Sequence, residues 1–412
     1  MDGTTHCHVE WASNCEIAKG GFFDVGKSKT WTLANQSLLD MYPQVNGLLN
    51  GRTGVDVVHL GDDFAANDTF LSLSGYDWGN IPYSTFGMGP NSTILHDLYA
   101  TGSIPSKTWS YFHGQEGAIP AEGSLILGGY DAAALPPGSP NFTQPFSGAE
   151  IGRNRDCDSQ TVVSISEIKL VFKNGTTASL LEGSSGIDAC ILITYPWIAE
   201  MPHDVLNDFV RKTATKIVGN STSPFSSGQI LVDSENAFDG DLRFNFNNGA
   251  LVVDIPNQEL ITQETIISNG QIVANNSGSR LLRLTEQTQN EEGFKQGQRA
   301  MRLGAPFFSA AYLMMDTEKS RFTVGKPLIT TKKDVVPFPG TSATCNGNAS
   351  APTDHHHRHH LSAGAIAGAV VGSIAGAVLL LARAYVKWRR KGERGGLGGW
   401  VGVCGTAALY LP

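Results

Sequence analysis

Leu303-Gly304-Ala305-Pro306-Phe307-Phe308-Ser309-Ala310-Ala311-Tyr312-Leu313-Met314-Met315-Asp316, followed by the strand pattern Arg321 to Gly325, closes the second of two β-rich blocks in this 412-residue chain. Upstream in the same block, Ser184-Ser185-Gly186-Ile187-Asp188-Ala189-Cys190-Ile191-Leu192-Ile193-Thr194 sets a lone aspartate between an apolar residue and an apolar run. Read by itself, Asp188 is a strand-end carboxylate capped by backbone N–H groups.

Working outward, the block from 146 to 336 reads mostly as strands. Val162 to Phe172 is a strand turned at Lys173-Asn174-Gly175, and Leu242 to Phe246 with Leu251 to Ile255 is a hairpin around Asn247-Asn248-Gly249. Pro202 to Ile217 is its helix, with Leu206, Phe209, Val210 and Ile217 near helical spacing. The block from 1 to 145 carries half-buried strand patterns at Val55–Leu60 and Thr69–Leu73. It also carries a short helix within Asn91–Thr101, capped by Ser92 or Thr93, and a strand Gly123–Asp131 with a turn at Gly128-Gly129. Leu135 to Pro145, rich in Pro and Gly, is the expected boundary. Two β-rich halves of similar size, each with one modest helix, predict a duplicated, bilobal all-β architecture.

Charged residues make up 17% of the chain and the formal net charge is −8, with no basic patch dense enough for phosphates, so nucleic acid is excluded as a partner. Asn35, Asn67, Asn91, Asn141, Asn174, Asn220, Asn275 and Asn348 each head an Asn-x-Ser/Thr sequon, and none falls in the last 60 residues. That one-sided distribution predicts a glycosylated body facing a secretory lumen or the cell exterior. Cys7 and Cys15 are close enough for a small disulfide loop, and Cys157 with Cys190 can close a larger one in an oxidising compartment; buried free thiols are the alternative. The chain starts without the basic and apolar regions of a signal peptide, so the natural N-terminus is expected to be missing from this sequence.

Residues 337–361 form a polar linker ending in His355-His356-His357-Arg358-His359-His360, read as a weakly basic spacer with no metal role. Residues 362–382 carry no charge, and 21 residues of helix at about 1.5 Å each span the roughly 30 Å hydrocarbon core. Arg383, Lys387, Arg389, Arg390, Lys391 and Arg394 follow directly, which predicts a single-pass protein of the plasma membrane or cell surface whose segment 383–412 is a basic cytoplasmic tail. Gly364, Gly368, Gly372 and Gly376 recur on one helix face, either as a close-packing surface for a homodimer or as parts of a plain Gly/Ala-rich anchor in lipid.

Gly128-Gly129-Tyr130-Asp131 and the closing segment Leu303 to Tyr312, with Asp316, resemble the pepsin-like aspartic peptidases, which carry Gly-Gly-x-Asp near the lobe junction and Leu-Gly-x-x-Phe-Leu-x-x-x-Tyr near the end. Cys15 to Trp31 is similar to the segment after the first catalytic motif of secreted fungal members. The resemblance covers roughly residues 7 to 330. It implies a bilobal pepsin-like fold with a truncated first lobe, no cofactor, an extended peptide or protein substrate between the lobes, and one catalytic aspartate per lobe in Asp-Thr/Ser-Gly. Two carboxylates that close share one proton and together activate water.

No Asp-Thr-Gly or Asp-Ser-Gly occurs in the chain. The resemblance puts the first motif upstream of Cys7 and the second at Asp188, where Ala189 lacks the hydroxyl and Cys190 replaces glycine. Asp188 is therefore expected to be the positional remnant of a catalytic residue, in a membrane-anchored body that binds peptide without cleaving it. The alternatives are an active aspartic endopeptidase whose first motif is absent from this sequence, and a structural or adhesive surface glycoprotein.

Overall fold

The computed structural model describes residues 26–33, 50–59, 65–74, 87–116, 120–147, 157, 159–183, 186–223, 225–226, 228–287, 300–338, 400–403 and 406–411. In the first block these form β1 (Thr32–Leu33), β2 (Asn50–His59), β3 (Ala65–Ser74), α1 (Thr93–Ala100), β4 (Thr108–Phe112), β5 (Gly123–Leu127), β6 (Gly129–Asp131) and β7 (Asn141–Pro145). The second begins with β8 (Val162–Val171), β9 (Thr177–Ser179), β10 (Ile187–Ile191), β11 (Ala199–Met201), α2 (His203–Thr213), β12 (Ile217–Asn220) and β13 (Ile230–Asp233). It continues with β14 (Asp241–Phe246), β15 (Leu251–Ile255), α3 (Asn257–Leu260), β16 (Ile261–Thr262), β17 (Thr265–Ser268), β18 (Gln271–Ala274), β19 (Ser279–Leu282) and β20 (Leu284–Glu286). β21 (Ala300–Leu303), β22 (Tyr312–Asp316), β23 (Arg321–Gly325), β24 (Val335–Pro337), β25 (Trp400–Val403) and β26 (Thr406–Leu411) complete the order.

The expected strands form because their side chains alternate between core and surface. In β14 Leu242, Phe244 and Phe246 are buried while Asp241, Arg243 and Asn245 are half-buried, and β15 repeats the pattern in register opposite. α1 starts where Ser92 accepts from the Leu95 N–H at 3.3 Å and buries Ile94, Leu95 and Leu98. α2 buries Val205, Leu206 and Phe209, with Asp204 in its first turn and Arg211 and Lys212 in its last, as the helix dipole favours.

Two large sheets carry the molecule. One runs β15-β14-β8-β10-β21-β11-β20, with β9 on β8, and is built from the second block. The other runs β25-β26-β5-β4-β22-β23-β7. In it the closing strands β22 and β23 lie between β4 and β7, so strands from both sides of residue 145 share one sheet. Smaller sheets are β1-β2-β3, β12-β13-β19-β16, the hairpin β17-β18, and β24-β6. A single apolar cluster joins Ile94, Leu98 and Trp109 of the first block to Phe244, Phe307 and Met315 of the second.

The two motifs that suggested a family meet in space. The Asp131 N–H donates to Tyr312 Oη at 3.0 Å, and Tyr312 Oη also lies 3.0 Å from Ser110 Oγ. Asp131 is buried and caps its own turn, accepting from the Ala133 and Asp334 N–H groups at 3.0 and 2.9 Å. Gly128 sits at φ 78°, which explains the glycine there.

Two expectations change, and a third meets a competing pairing. The helix expected over Pro202–Ile217 ends at Thr213, because Ala214 turns left-handed at φ 53° and releases Ile217 to begin β12. The Pro- and Gly-rich stretch Leu135–Pro145 is not only a connection: its end, β7, hydrogen-bonds in register with β23. Finally, within the expected cytoplasmic tail 383–412, β26 pairs antiparallel with β5, Leu411 opposite Gly123 and Ala407 opposite Leu127. A strand bonded to β5 lies on the same side of any membrane as β5, so this pairing and a cytoplasmic placement of 406–411 exclude each other.

Cys7, Cys15, Asn35, Asn348, Gly364, Gly368, Gly372, Gly376 and the expected span 362–382 lie outside the described residues, as do the histidine run and the side chain of Asn67. Among the described residues no helix is long and apolar enough to cross a membrane.

Candidate functional site: a cleft between the two blocks

A cavity of about 480 Å³ opens between β4 with its following loop and the segment that continues β10. One wall is Tyr111, His113 and Glu116. The floor is Ile193-Thr194-Tyr195-Pro196, and the far wall includes Gln229, Thr262 and Arg283.

The floor is positioned by the segment that opens with Leu303. The Leu192 N–H donates to the Leu303 carbonyl at 2.8 Å, the Ala305 N–H to the Tyr195 carbonyl at 2.9 Å, and the Gly304 N–H to the Ile198 carbonyl at 3.1 Å. A Cβ on residue 304 would stand 2.0 Å from the Trp197 carbonyl oxygen, so only glycine lets the two backbones approach this closely. Tyr195 is fixed from beside and below: its ring stacks on Trp197 at 4.6 Å, and the Arg302 guanidinium lies 6.0 Å from its centroid. Arg302 itself pairs with buried Glu200 at 3.0 Å across the β21–β11 ladder.

The wall is held by charge. Arg283 grips both oxygens of Glu116, at 2.9 and 2.8 Å, and the Glu116 N–H donates to Glu259 Oε1 at 2.8 Å. Because residues 113 and 116 come from the first block and 259 and 283 from the second, this cluster ties the blocks together at the cleft. Tyr111 Oη lies 2.8 Å from His113 Nδ1. Burial holds the His113 pKa down to about 4, with Arg283 acting in the same direction and Glu116 against it, so the imidazole is neutral at physiological pH.

Asp188 is not in this cleft. It is exposed in β10, opposite Ser164 of β8 and Ala300 of β21, while its neighbour Ala189 is buried in the core. Cys190 is bonded to Cys157, closing a loop over a separation of 33 residues, as one of the two expected pairings required. The strand continues past Asp188, and the residues that reach this cleft come five to eight positions later. The signal that could have found them is the Tyr195-Pro196 break after an apolar strand, five residues past the cysteine. His113, Glu116 and Arg283 carry no local signal; they are brought together from two distant segments.

Asp316, read in the sequence with the closing motif, is buried and held by Arg321 Nε at 3.1 Å and the Lys319 N–H at 3.0 Å. The sequon residues Asn91, Asn141, Asn174 and Asn220 are exposed, and Asn275 is half-buried.

No family model matches this chain, and no curated protein does. Among solved structures, the crystal structure of aspartic proteinase from Irpex lacteus is similar over 74% of this chain and 83% of that one, with 15% sequence identity and a TM-score of 0.47.

Proposed function

We propose that this chain is a pepsin-like body that binds an extended peptide in the cleft between its blocks and does not cleave it. The observation that carries this reading is the cleft lining. Among the described residues that line it the only acid is Glu116, both of whose oxygens are engaged by Arg283, while Glu259 behind it is buried. A carboxylate dyad needs two carboxyls close enough to share a proton. The floor residues Ile193-Thr194-Tyr195 carry no carboxylate, and Asp188-Ala189-Cys190, where the resemblance puts the second motif, lies outside the lining. The volume is in the range of ligand sites, and the lining mixes apolar groups (Met88, Leu125, Ile193) with polar ones (Thr194, Gln229, Thr262, Arg283), a composition that can bind a peptide through both backbone and side chains.

The test uses the full chain and a fluorescein-labelled, apolar decapeptide read by fluorescence polarisation at pH 7. Saturable binding that Ile193→Arg abolishes, with the peptide intact by mass spectrometry after incubation at pH 3 to 5, is the expected result. Cleavage inhibited by a statine-type compound would mean an active endopeptidase. No binding at all would leave the adhesive or structural reading.

Anchoring in a membrane through 362–382 is proposed on the sequence alone, from its 21 uncharged residues and the basic cluster after them. It requires β26 to leave the sheet.

A further inference from the structure

We infer that an N-linked glycan on Asn220 is the cover of an exposed sheet edge, and that the neighbouring sequon at Asn275 is a structural clamp with no glycan. This rests on secretory placement, which the Cys157–Cys190 disulfide supports, and is independent of what the cleft binds.

β12 is the outer strand of the sheet β12-β13-β19-β16, and all four of its residues are exposed. Two of them are Ile217 and Val218, with 45% and 50% of their surface accessible. An edge strand that shows unpaired backbone and β-branched apolar side chains is a template for a second copy of the chain. Asn220 ends that same strand, exposed, and heads Asn220-Ser221-Thr222. At about 3.3 Å per residue its side chain starts roughly 7 Å from Val218, two positions back along the same strand, so the first sugars of a glycan reach the apolar end of this edge. The C–H faces of those rings are suited to aliphatic side chains, and their hydroxyls keep the covered surface wet. Such a glycan also blocks lateral pairing by bulk.

Asn275 lies at the same end of the fold and is committed otherwise. Its Nδ2 donates to Glu264 Oε2 at 2.5 Å and its backbone N–H to the Glu264 carbonyl at 2.7 Å. Its Oδ1 accepts from the Ser277 N–H at 3.1 Å. Glu264 is buried at 3% exposure, and its other oxygen takes the Ser221 hydroxyl. The amide nitrogen that a glycan would occupy is thus directed at a buried carboxylate, which pays for its burial only while it is hydrogen-bonded.

The experiment secretes the full chain from a eukaryotic host behind a heterologous signal peptide. Site occupancy is read by glycopeptide mass spectrometry, and self-association by light scattering across concentration. Asn220 occupied and Asn275 empty is expected, with Thr222→Ala, which removes the sequon and leaves Asn220, giving concentration-dependent association. Adding Ile217→Thr and Val218→Lys to Thr222→Ala is expected to restore the monomer, which separates edge exposure from misfolding. An empty Asn220, an occupied Asn275, or a Thr222→Ala protein that stays monodisperse would overturn the proposal. Peptide binding measured on the same samples keeps this outcome separate from the cleft reading.

Discussion

At the scale of single residues, Gly304 and His113 do the most at the cleft. Gly304→Ala puts a methyl group against the Trp197 and Tyr195 carbonyls, so the floor must shift. The expected cost is about 1–3 kcal/mol, read as a lower urea midpoint together with weakened peptide binding. His113 sets a pH dependence. The unfolded chain takes up its proton near 6.5 and the folded chain only near 4. Between those values the unfolded state binds more protons, so stability falls as pH drops through this window, by roughly 3 kcal/mol once pH is below 4. His113→Gln should flatten the decline of the urea midpoint between pH 7 and pH 4; an unchanged slope would show that the imidazole is not kept neutral. Asp188 is the opposite case, a residue conspicuous in the sequence and exposed in the fold. Asp188→Asn is expected to change neither stability beyond about 0.5 kcal/mol nor peptide binding.

At the scale of elements, two cross-links hold the strands around the cleft floor. The Cys157–Cys190 bond closes a 33-residue separation. Replacing both cysteines by serine should cost roughly 3–4 kcal/mol of stability, measured against the oxidised protein in denaturant. The Arg302–Glu200 pair ties β21 to β11 beneath Tyr195. Arg302→Met leaves Glu200 charged and buried without its cation and is expected to cost about 3–5 kcal/mol, whereas the double change to apolar residues should recover most of it. Elements were the part most legible in the sequence. The hairpin β14–β15, the Ser92-capped α1 and β22–β23 follow from alternation, capping and turn chemistry, all of which act within a few residues. The end of α2 was not legible, because Leu206, Phe209, Val210 and Ile217 keep helical spacing while Ala214 breaks the backbone so that β12 can pair with β13.

At the scale of the whole molecule, the sheet β25-β26-β5-β4-β22-β23-β7 stitches the two blocks together, and the Glu116–Arg283–Glu259 cluster fastens them again at the cleft. The position of the C-terminal strand bears on the proposed anchor. An epitope tag after Pro412 that added protease removes from sealed microsomes while the body stays protected, in protein resistant to alkaline extraction, would show that the span forms and β26 does not pair with β5. A tag protected together with the body would support the strand.

The sequence by itself determined the all-β character, most strand and turn positions, the Cys157–Cys190 pairing as one of two open choices, and the absence of Asp-Thr/Ser-Gly anywhere in the chain. Local periodicity and turn residues specify these things without reference to distant segments. Only the tertiary structure decided which residues face the cleft. Ile193 to Pro196 are placed there by hydrogen bonds to a segment about 110 positions away, and His113, Glu116 and Arg283 by the packing of one block on the other. Asp188 and Ile193 lie on one continuous stretch, and what separates exposed surface from cleft floor between them is the partner each part of that stretch is bonded to.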